Sequence, residues 1–257
     1  MWLHAGPVAF VLFAWWFSTG AIAYVAGRPE RTHKWSMAAA TLALVAAFWV
    51  LYRLRDGSVE DTTAAYAAFG SALVIWGWQE LAFLLGYVTG PRRQACPDGA
   101  LGWRRAGYAF QVVLHHEVAL LVLGAAVLAL MPERGPPVAA WTFGALWAMR
   151  QSAKLNVFFG VRNLNEQFLP PKIAYVQSYF RRRPMNALFP ASMALAIAAA
   201  VLSWRAAMAA DITALQQSGL GLVATLLTLG AAEHGLMVLP LPSHGLWRWW
   251  LDERPSP

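Results

Sequence analysis

Tyr108-Ala-Phe-Gln-Val-Val-Leu-His115-His116-Glu117-Val-Ala-Leu-Leu-Val-Leu-Gly124-Ala-Ala-Val-Leu-Ala-Leu-Met131 is a stretch of 24 residues that decides the fold. A helix rises about 1.5 Å per residue and a bilayer's hydrocarbon core is about 30 Å thick, so this run can span a membrane. Its polar centre is the exception to its composition. A carboxylate at such a depth costs at least about 2.5 kcal/mol and faces a bundle interior, a cavity or a partner. Glu80, within the apolar stretch from Ala64 to Thr89, and Glu233, beside His234 in the stretch from Gly219 to Pro240, repeat the pattern. These acids therefore mark the inside of the protein.

The composition agrees with a membrane solvent: 257 residues, 58% hydrophobic, 13% charged, with 14 Trp and a mean hydropathy of +0.44. No ordinary soluble domain has these proportions. The reading is an all-α, polytopic integral membrane bundle forming a single domain over residues 1–257. Seven spans are expected, roughly His4 to Ala26, Trp35 to Tyr52, Ala64 to Thr89, Tyr108 to Met131, Val138 to Val157, Ala187 to Trp204 and Gly219 to Pro240. The first lacks a positive leading region and is expected to be a retained helix, not a cleaved signal. The single cysteine, Cys96, excludes an internal disulfide and has no companion for a zinc motif.

Orientation follows from the basic residues, which accumulate in cytoplasmic loops. Loops after spans one, three and five hold most of the 20 Lys and Arg, and the tail adds Arg248 and Arg254; the other loops hold Arg53, Arg55, Arg134 and Arg205. The N-terminus is expected to face the periplasm and the C-terminus the cytoplasm, in a bacterial inner membrane. The formal charge of +7 is accounted for by this bias and by anionic lipid headgroups. No nucleic-acid motif accompanies it, so nucleic acid is not an expected partner.

With that orientation, Glu80 stands about ten residues before the expected end of span three and Glu117 about ten after the start of span four, each roughly 15 Å deep at helical rise. His115, His116, Glu233 and His234 join the same layer, and Arg150 and Lys154, four apart on one face of span five, enter it from the cytoplasmic side. Carboxylate and imidazole on facing helices can hold iron or manganese, with Glu80, His116, Glu117, Glu233 and His234 as candidate ligands. Adjacent Glu and His depart from the three-residue spacing of bundle metal sites. Alternatively, Glu80 or Glu117 pairs with Arg150 or Lys154 and the charges fix helix register. A third reading is a tetrapyrrole such as bacteriochlorophyll, with an imidazole such as His115 on the central metal and Trp76 and Trp78 lining the ring. A proton relay is a fourth, although no repeated half is evident in the chain.

The long cytoplasmic connection, residues 158–186, mixes polar residues with aromatic and aliphatic ones and is expected to be ordered. Arg162 and Glu166, four apart, would brace one helical turn. Arg162, Asn163, Asn165, Glu166 and Gln167 form a candidate lid over the polar layer. The plainer reading is an amphipathic stretch at headgroup level, with Arg181 to Arg183 on anionic lipid.

Gly27-Arg-Pro-Glu-Arg-Thr-His-Lys-Trp-Ser36, the Trp-Gly-Trp-Gln-Glu-Leu run at 76 to 81, Pro91-Arg-Arg-Gln-Ala-Cys96-Pro97, His115-His-Glu117, the segment from Arg150 to Pro171, the run from Tyr179 to Pro190 and Glu233-His-Gly-Leu-Met-Val-Leu-Pro-Leu-Pro242 together resemble the PuhE family of photosynthetic complex assembly proteins from anoxygenic phototrophic bacteria. The likeness covers almost the whole chain. It implies a part in making reaction-centre and light-harvesting complexes, linked to bacteriochlorophyll supply, with their subunits and pigment-synthesis proteins as partners; it carries over no catalytic residue. Two classes of function stand at this point. One is a noncatalytic membrane assembly factor. The other is an intramembrane metal-dependent oxidoreductase acting on a tetrapyrrole, quinone or isoprenoid precursor.

Overall fold

Within lipid a chain satisfies its backbone polar groups only as helix or closed barrel, and apolar runs of 19 to 28 residues are here resolved as helix. The computed structural model describes residues 2–57, 61–166 and 169–240, with side chains described from residue 5. The helices are α1 (Trp2–Ala26), α2 (Glu30–Leu54), α3 (Thr62–Leu84), α4 (Gly102–Ala129), α5 (Val138–Phe159), α6 (Phe189–Ala207) and α7 (Ala214–Leu236), with a 3-10 segment at Pro171–Tyr179 between α5 and α6. Among the described residues no strand occurs, only an isolated parallel bridge between Val161 and Arg182.

Six of these helices are long and apolar enough to cross a membrane: Ala5–Ala26 of α1, then α2, α3, α4, α6 and α7. The fifth expected span, α5, has the length but carries Arg150, Gln151, Ser152, Lys154 and Asn156 in its second half. It nevertheless runs the depth of the bundle. At one end the α2–α3 and α4–α5 connections are joined by Glu133 N–H donating to Arg55 O at 2.8 Å; at the other, Asn163 beyond α5 donates its N–H to Met237 O beyond α7 at 2.9 Å.

Burial ranks the helices. Half or more of the most apolar window is buried in α3 (50%) and α7 (61%), against 11% in each of α1 and α2, so α3 and α7 are central and α1 and α2 peripheral. One core cluster centres on Val11, Phe69, Val138 and Leu222. A second, on Leu51, Ile75, Leu120 and Phe143, ties α2 through α5 together. Two helix starts are capped: Asp61 Oδ1 accepts from Thr63 N–H at 2.8 Å, and Thr213 with Gln216 closes a reciprocal capping box on α7.

The expected boundaries shift around the third connection. Span three was expected to reach Thr89, but α3 stops at Leu84 because Gly86 adopts φ +75°. Tyr87 N–H bonds back to Ala82 O and Gly86 N–H to Phe83 O, both at 2.9 Å, the pattern by which a left-handed glycine closes a helix C-terminus. The chain then lies against the middle of α4, where His116 N–H donates to Thr89 O at 2.9 Å. A Cβ on Gly90 would stand 2.0 Å from Gln111 O, so this approach requires glycine. α4 itself begins at Gly102, six residues ahead of Tyr108. Glu80 is thus one turn from the end of its helix, not ten residues, and Glu117 lies fifteen residues into α4.

The connection after α5 is ordered through contacts made at a distance in sequence. Arg105, buried at 6% exposure, donates to Phe158 O at 3.2 Å and to Tyr179 O and lies 4.1 Å from the Phe158 ring centroid. Arg92 donates to the Tyr179 hydroxyl at 2.8 Å. Asn186 donates to Asn156 Oδ1 and Gly160 O, each at 3.0 Å, and its Oδ1 receives Leu188 N–H and Phe189 N–H at the start of α6.

Candidate functional site

Arg150 and Lys154 lie one turn apart on α5, so both project from one face of that helix, and they engage different neighbours. Arg150 Nη2 donates to Glu80 Oε2 of α3 at 2.8 Å. Lys154 Nζ donates to Glu117 Oε1 of α4 at 2.5 Å, and Gln151 Nε2 donates to Glu117 Oε2 at 2.7 Å. α5 thereby supplies all the partners of two carboxylates that enter from different helices.

The third acid is arranged otherwise. Glu233 on α7 accepts from the Trp15 indole N–H of α1 at 2.8 Å, and among the described residues no Lys, Arg or His comes within ion-pair distance of it. His234, next in the chain and only 2% exposed, points the other way: Nδ1 lies 2.9 Å from Gly230 O and Nε2 2.9 Å from Ser152 Oγ of α5. The carbonyl can only accept, so Nδ1 carries the proton and Nε2 accepts from the serine hydroxyl.

These groups line one open cavity of about 1160 Å³ bordered by α1, α3, α4, α5 and α7. Its walls are mostly apolar and aromatic, including Trp76, Phe83, Phe110 and Trp147, and its polar groups are Glu80, Glu117, Arg150, Gln151, Lys154, Glu233 and His234, with Asn163 and Asn165 from the connection. An apolar chamber with a few convergent polar groups is the usual form of a small-molecule site, here at the large end of the range.

The expected metal ligands do not come together. Glu80, Glu117, Glu233 and His234 are held by Arg150, Lys154, Trp15 and Ser152 respectively, and His116 faces α3, where its Nδ1 lies 3.0 Å from Gln79 Nε2. No group of three or more His, Cys, Asp or Glu able to hold an ion occurs among the described residues. The expected ring-binding trio is dispersed too. His115 is exposed on the outer side of α4, away from the cavity; Trp78 donates to Thr41 Oγ1 of α2 at 3.0 Å; Trp76 alone of the three lines the chamber, edge-on to Phe143 with ring centroids 5.5 Å apart.

The expected lid segment lies at the basic end, beyond α5, and its internal contacts differ from expectation. Residues 161–166 are not α-helical, so Arg162 and Glu166 do not share a turn. Glu166 instead receives Arg182 Nη2, and Arg182 Nη1 donates to Arg162 O at 3.0 Å. Asn163 Nδ2 donates to Leu236 O and Leu239 O at 2.6 and 2.7 Å, tying the segment to the end of α7. Asn165 has φ 55°. Gln167, Arg248 and Arg254 lie outside the described residues.

Four site residues have no counterpart in the sequence reading: Trp15, Gln79, Gln151 and Ser152. Gln151 and Ser152 sit between Arg150 and Lys154, where a polar patch inside an apolar span was a usable signal. Trp15 and Gln79 gave none, because their roles arise from helix pairing.

A family described as a protein of unknown function, DUF3623, matches residues 1–257. Among curated proteins, an uncharacterised 30.4 kDa protein in the puhA 5′ region of Rhodobacter capsulatus is 37% identical over 252 residues, covering 96% of this chain and 90% of that protein. No solved structure matches.

Proposed function

The chain belongs to the DUF3623 family, and we propose from that premise that it is a membrane factor serving assembly of the photosynthetic apparatus. On this reading it takes a membrane-soluble pigment or pigment precursor into the chamber between α1, α3, α4, α5 and α7 and makes it available to reaction-centre or light-harvesting subunits. The observation that carries the proposal is the chamber itself: about 1160 Å³, apolar-walled, with its charges gathered on α5 and its neighbours. The relative from the puhA 5′ region and the resemblance to the PuhE family support the link to photosynthesis.

The proposed setting is a single domain crossing the bacterial inner membrane seven times, α5 included, with the N-terminus in the periplasm and the C-terminus in the cytoplasm. The polar second half of α5 is compatible with a crossing because its charges face protein partners and a cavity, where the cost of an intramembrane charge is offset. Glu80, Glu117, Glu233, His234, Arg150 and Lys154 form the polar pole of the chamber, and Asn163 and Asn165 border it at the basic end.

Deletion of the gene in a phototrophic host is the test. The expected result is loss of the near-infrared absorption of assembled pigment–protein complexes, with transcripts of their subunits retained. Unchanged absorption in the deletion strain would refute the proposal.

A further inference from the structure

The charges on the chamber do not balance in pairs. Glu80 and Glu117 each have a cation from α5, whereas Glu233 has only a neutral indole donor and is exposed toward the chamber. Arg150, whose side chain is 40% exposed, spends Nη2 on Glu80, and its Nε is without a hydrogen-bond partner among the described residues. Ser152, two residues along α5 from Arg150, meets His234, the neighbour of Glu233 on α7, at 2.9 Å, so both groups stand at the same end of the chamber. One pole of the chamber therefore presents a carboxylate lacking a cation beside a guanidinium edge lacking an anion.

In a bilayer, the side of the chamber between α1 and α4 would face lipid. α1 packs on α3 and α7, α4 packs on α3 and α5, and no close packing joins α1 to α4 among the described residues. Side chains of both line the chamber, and Val118 and Leu121 on the α4 edge are exposed. A molecule can enter sideways from the bilayer without leaving the hydrocarbon. Glu233 stands three residues before α7 ends at Leu236, a depth of about 5 Å from the helix end at helical rise.

We propose that this pole binds a zwitterionic phospholipid headgroup, the phosphate on the free edge of Arg150 and the ammonium on Glu233, with the acyl chains along the apolar walls. An ammonium supplies the cation that Glu233 lacks, and charge-assisted hydrogen bonds to both ends are the strong kind. A guanidinium is suited to phosphate. An anionic phosphatidylglycerol offers the phosphate but nothing for Glu233, so the pole should discriminate between the two lipids.

The inference rests on the chamber being a ligand site, as proposed above, yet its test is separate. Full-length protein in mild detergent is equilibrated with equimolar phosphatidylethanolamine and phosphatidylglycerol, and retained lipid is read by native mass spectrometry. Wild type is expected to retain the ethanolamine lipid in roughly tenfold preference, the ratio that corresponds to about 1.4 kcal/mol of differential binding. Glu233→Gln, which keeps the size of the side chain and its acceptor for Trp15, is expected to bring the ratio near one. Equal retention by wild type, preference for phosphatidylglycerol, no retained lipid, or a partner transmembrane helix cross-linked in the chamber instead would each overturn the inference. The wild-type ratio decides the matter even if the variant does not fold, and loss of photosynthetic complexes in a deletion strain reports on the assembly role whichever lipid is found.

Discussion

Lys154 on α5 holds Glu117 on α4 at 2.5 Å, with their side chains only 26% and 15% exposed. Removing one member leaves the other charged in an apolar surround. Breaking a buried pair costs about 3–5 kcal/mol, and the partial exposure of Lys154 puts this one at the lower end. Lys154→Met should therefore lower the thermal midpoint of the detergent-purified protein well below that of wild type. Adding Glu117→Leu to Lys154→Met should recover most of the loss, because no uncompensated charge then remains. A double variant no more stable than the single would show that the pair is not what holds α4 to α5.

Gly90 offers a sharper steric test. Its Cβ position is 2.0 Å from Gln111 O and 2.6 Å from Val112 O, both backbone atoms of α4 that cannot rotate away. Gly90→Ala should displace the connection from α4, at the upper part of the roughly 1–3 kcal/mol usual for overpacking. Limited proteolysis between α3 and α4 should accelerate in the variant and not in a Gly107→Ala control, whose Cβ on α4 meets nothing within 4 Å.

Asn186 joins the end of α5 to the start of α6 by donating to Asn156 and Gly160 and accepting from Leu188 and Phe189. Its buried partners would each lose roughly 1–3 kcal/mol if left unmatched. Asn186→Ala should destabilise the protein, and Asn186→Asp should fall between it and wild type, since Asp keeps the acceptor and loses the donor. Thermal unfolding of the three proteins in one detergent gives the order.

A seven-span arrangement puts the termini on opposite sides of the membrane. Alkaline phosphatase fused within the α2–α3 connection should be active, and a second readout is cysteine labelling in a background lacking Cys96. Thiols placed at Gly27 and Asp98 should be shielded from an impermeant reagent in intact cells, and one placed at Asp211 should react. The reverse pattern would invert the proposed orientation.

Helix positions were legible because long apolar runs leave few alternatives in lipid. The end of α3 was not, since Gly86, Tyr87 and Val88 read as a continuation of the apolar run, and only the back-bonds to Ala82 and Phe83 show that the helix has closed. The layer of acids and cations was visible in the sequence, and its division into Glu80 with Arg150 and Glu117 with Lys154 was one of the pairings open there. What one-dimensional spacing could not show is rotation. His115 and His116 are neighbours about 100° apart on a helix, and only packing against Gln79 and Phe83 reveals which is inside: the rings of Phe83 and His116 are 4.7 Å apart. The same applies to Glu233, whose partner Trp15 lies 218 residues away.

The central claim is that the chamber does the protein's work. Gly77 lines it, and a Cβ there meets only Ile22 Cδ1 at 3.6 Å, so a larger side chain can enter the chamber without displacing backbone. The decisive measurement is near-infrared absorption of membranes from a deletion strain carrying either wild type or Gly77→Phe at equal protein level. The account predicts that wild type restores the absorption of assembled complexes and Gly77→Phe does not. Full restoration by Gly77→Phe would contradict it.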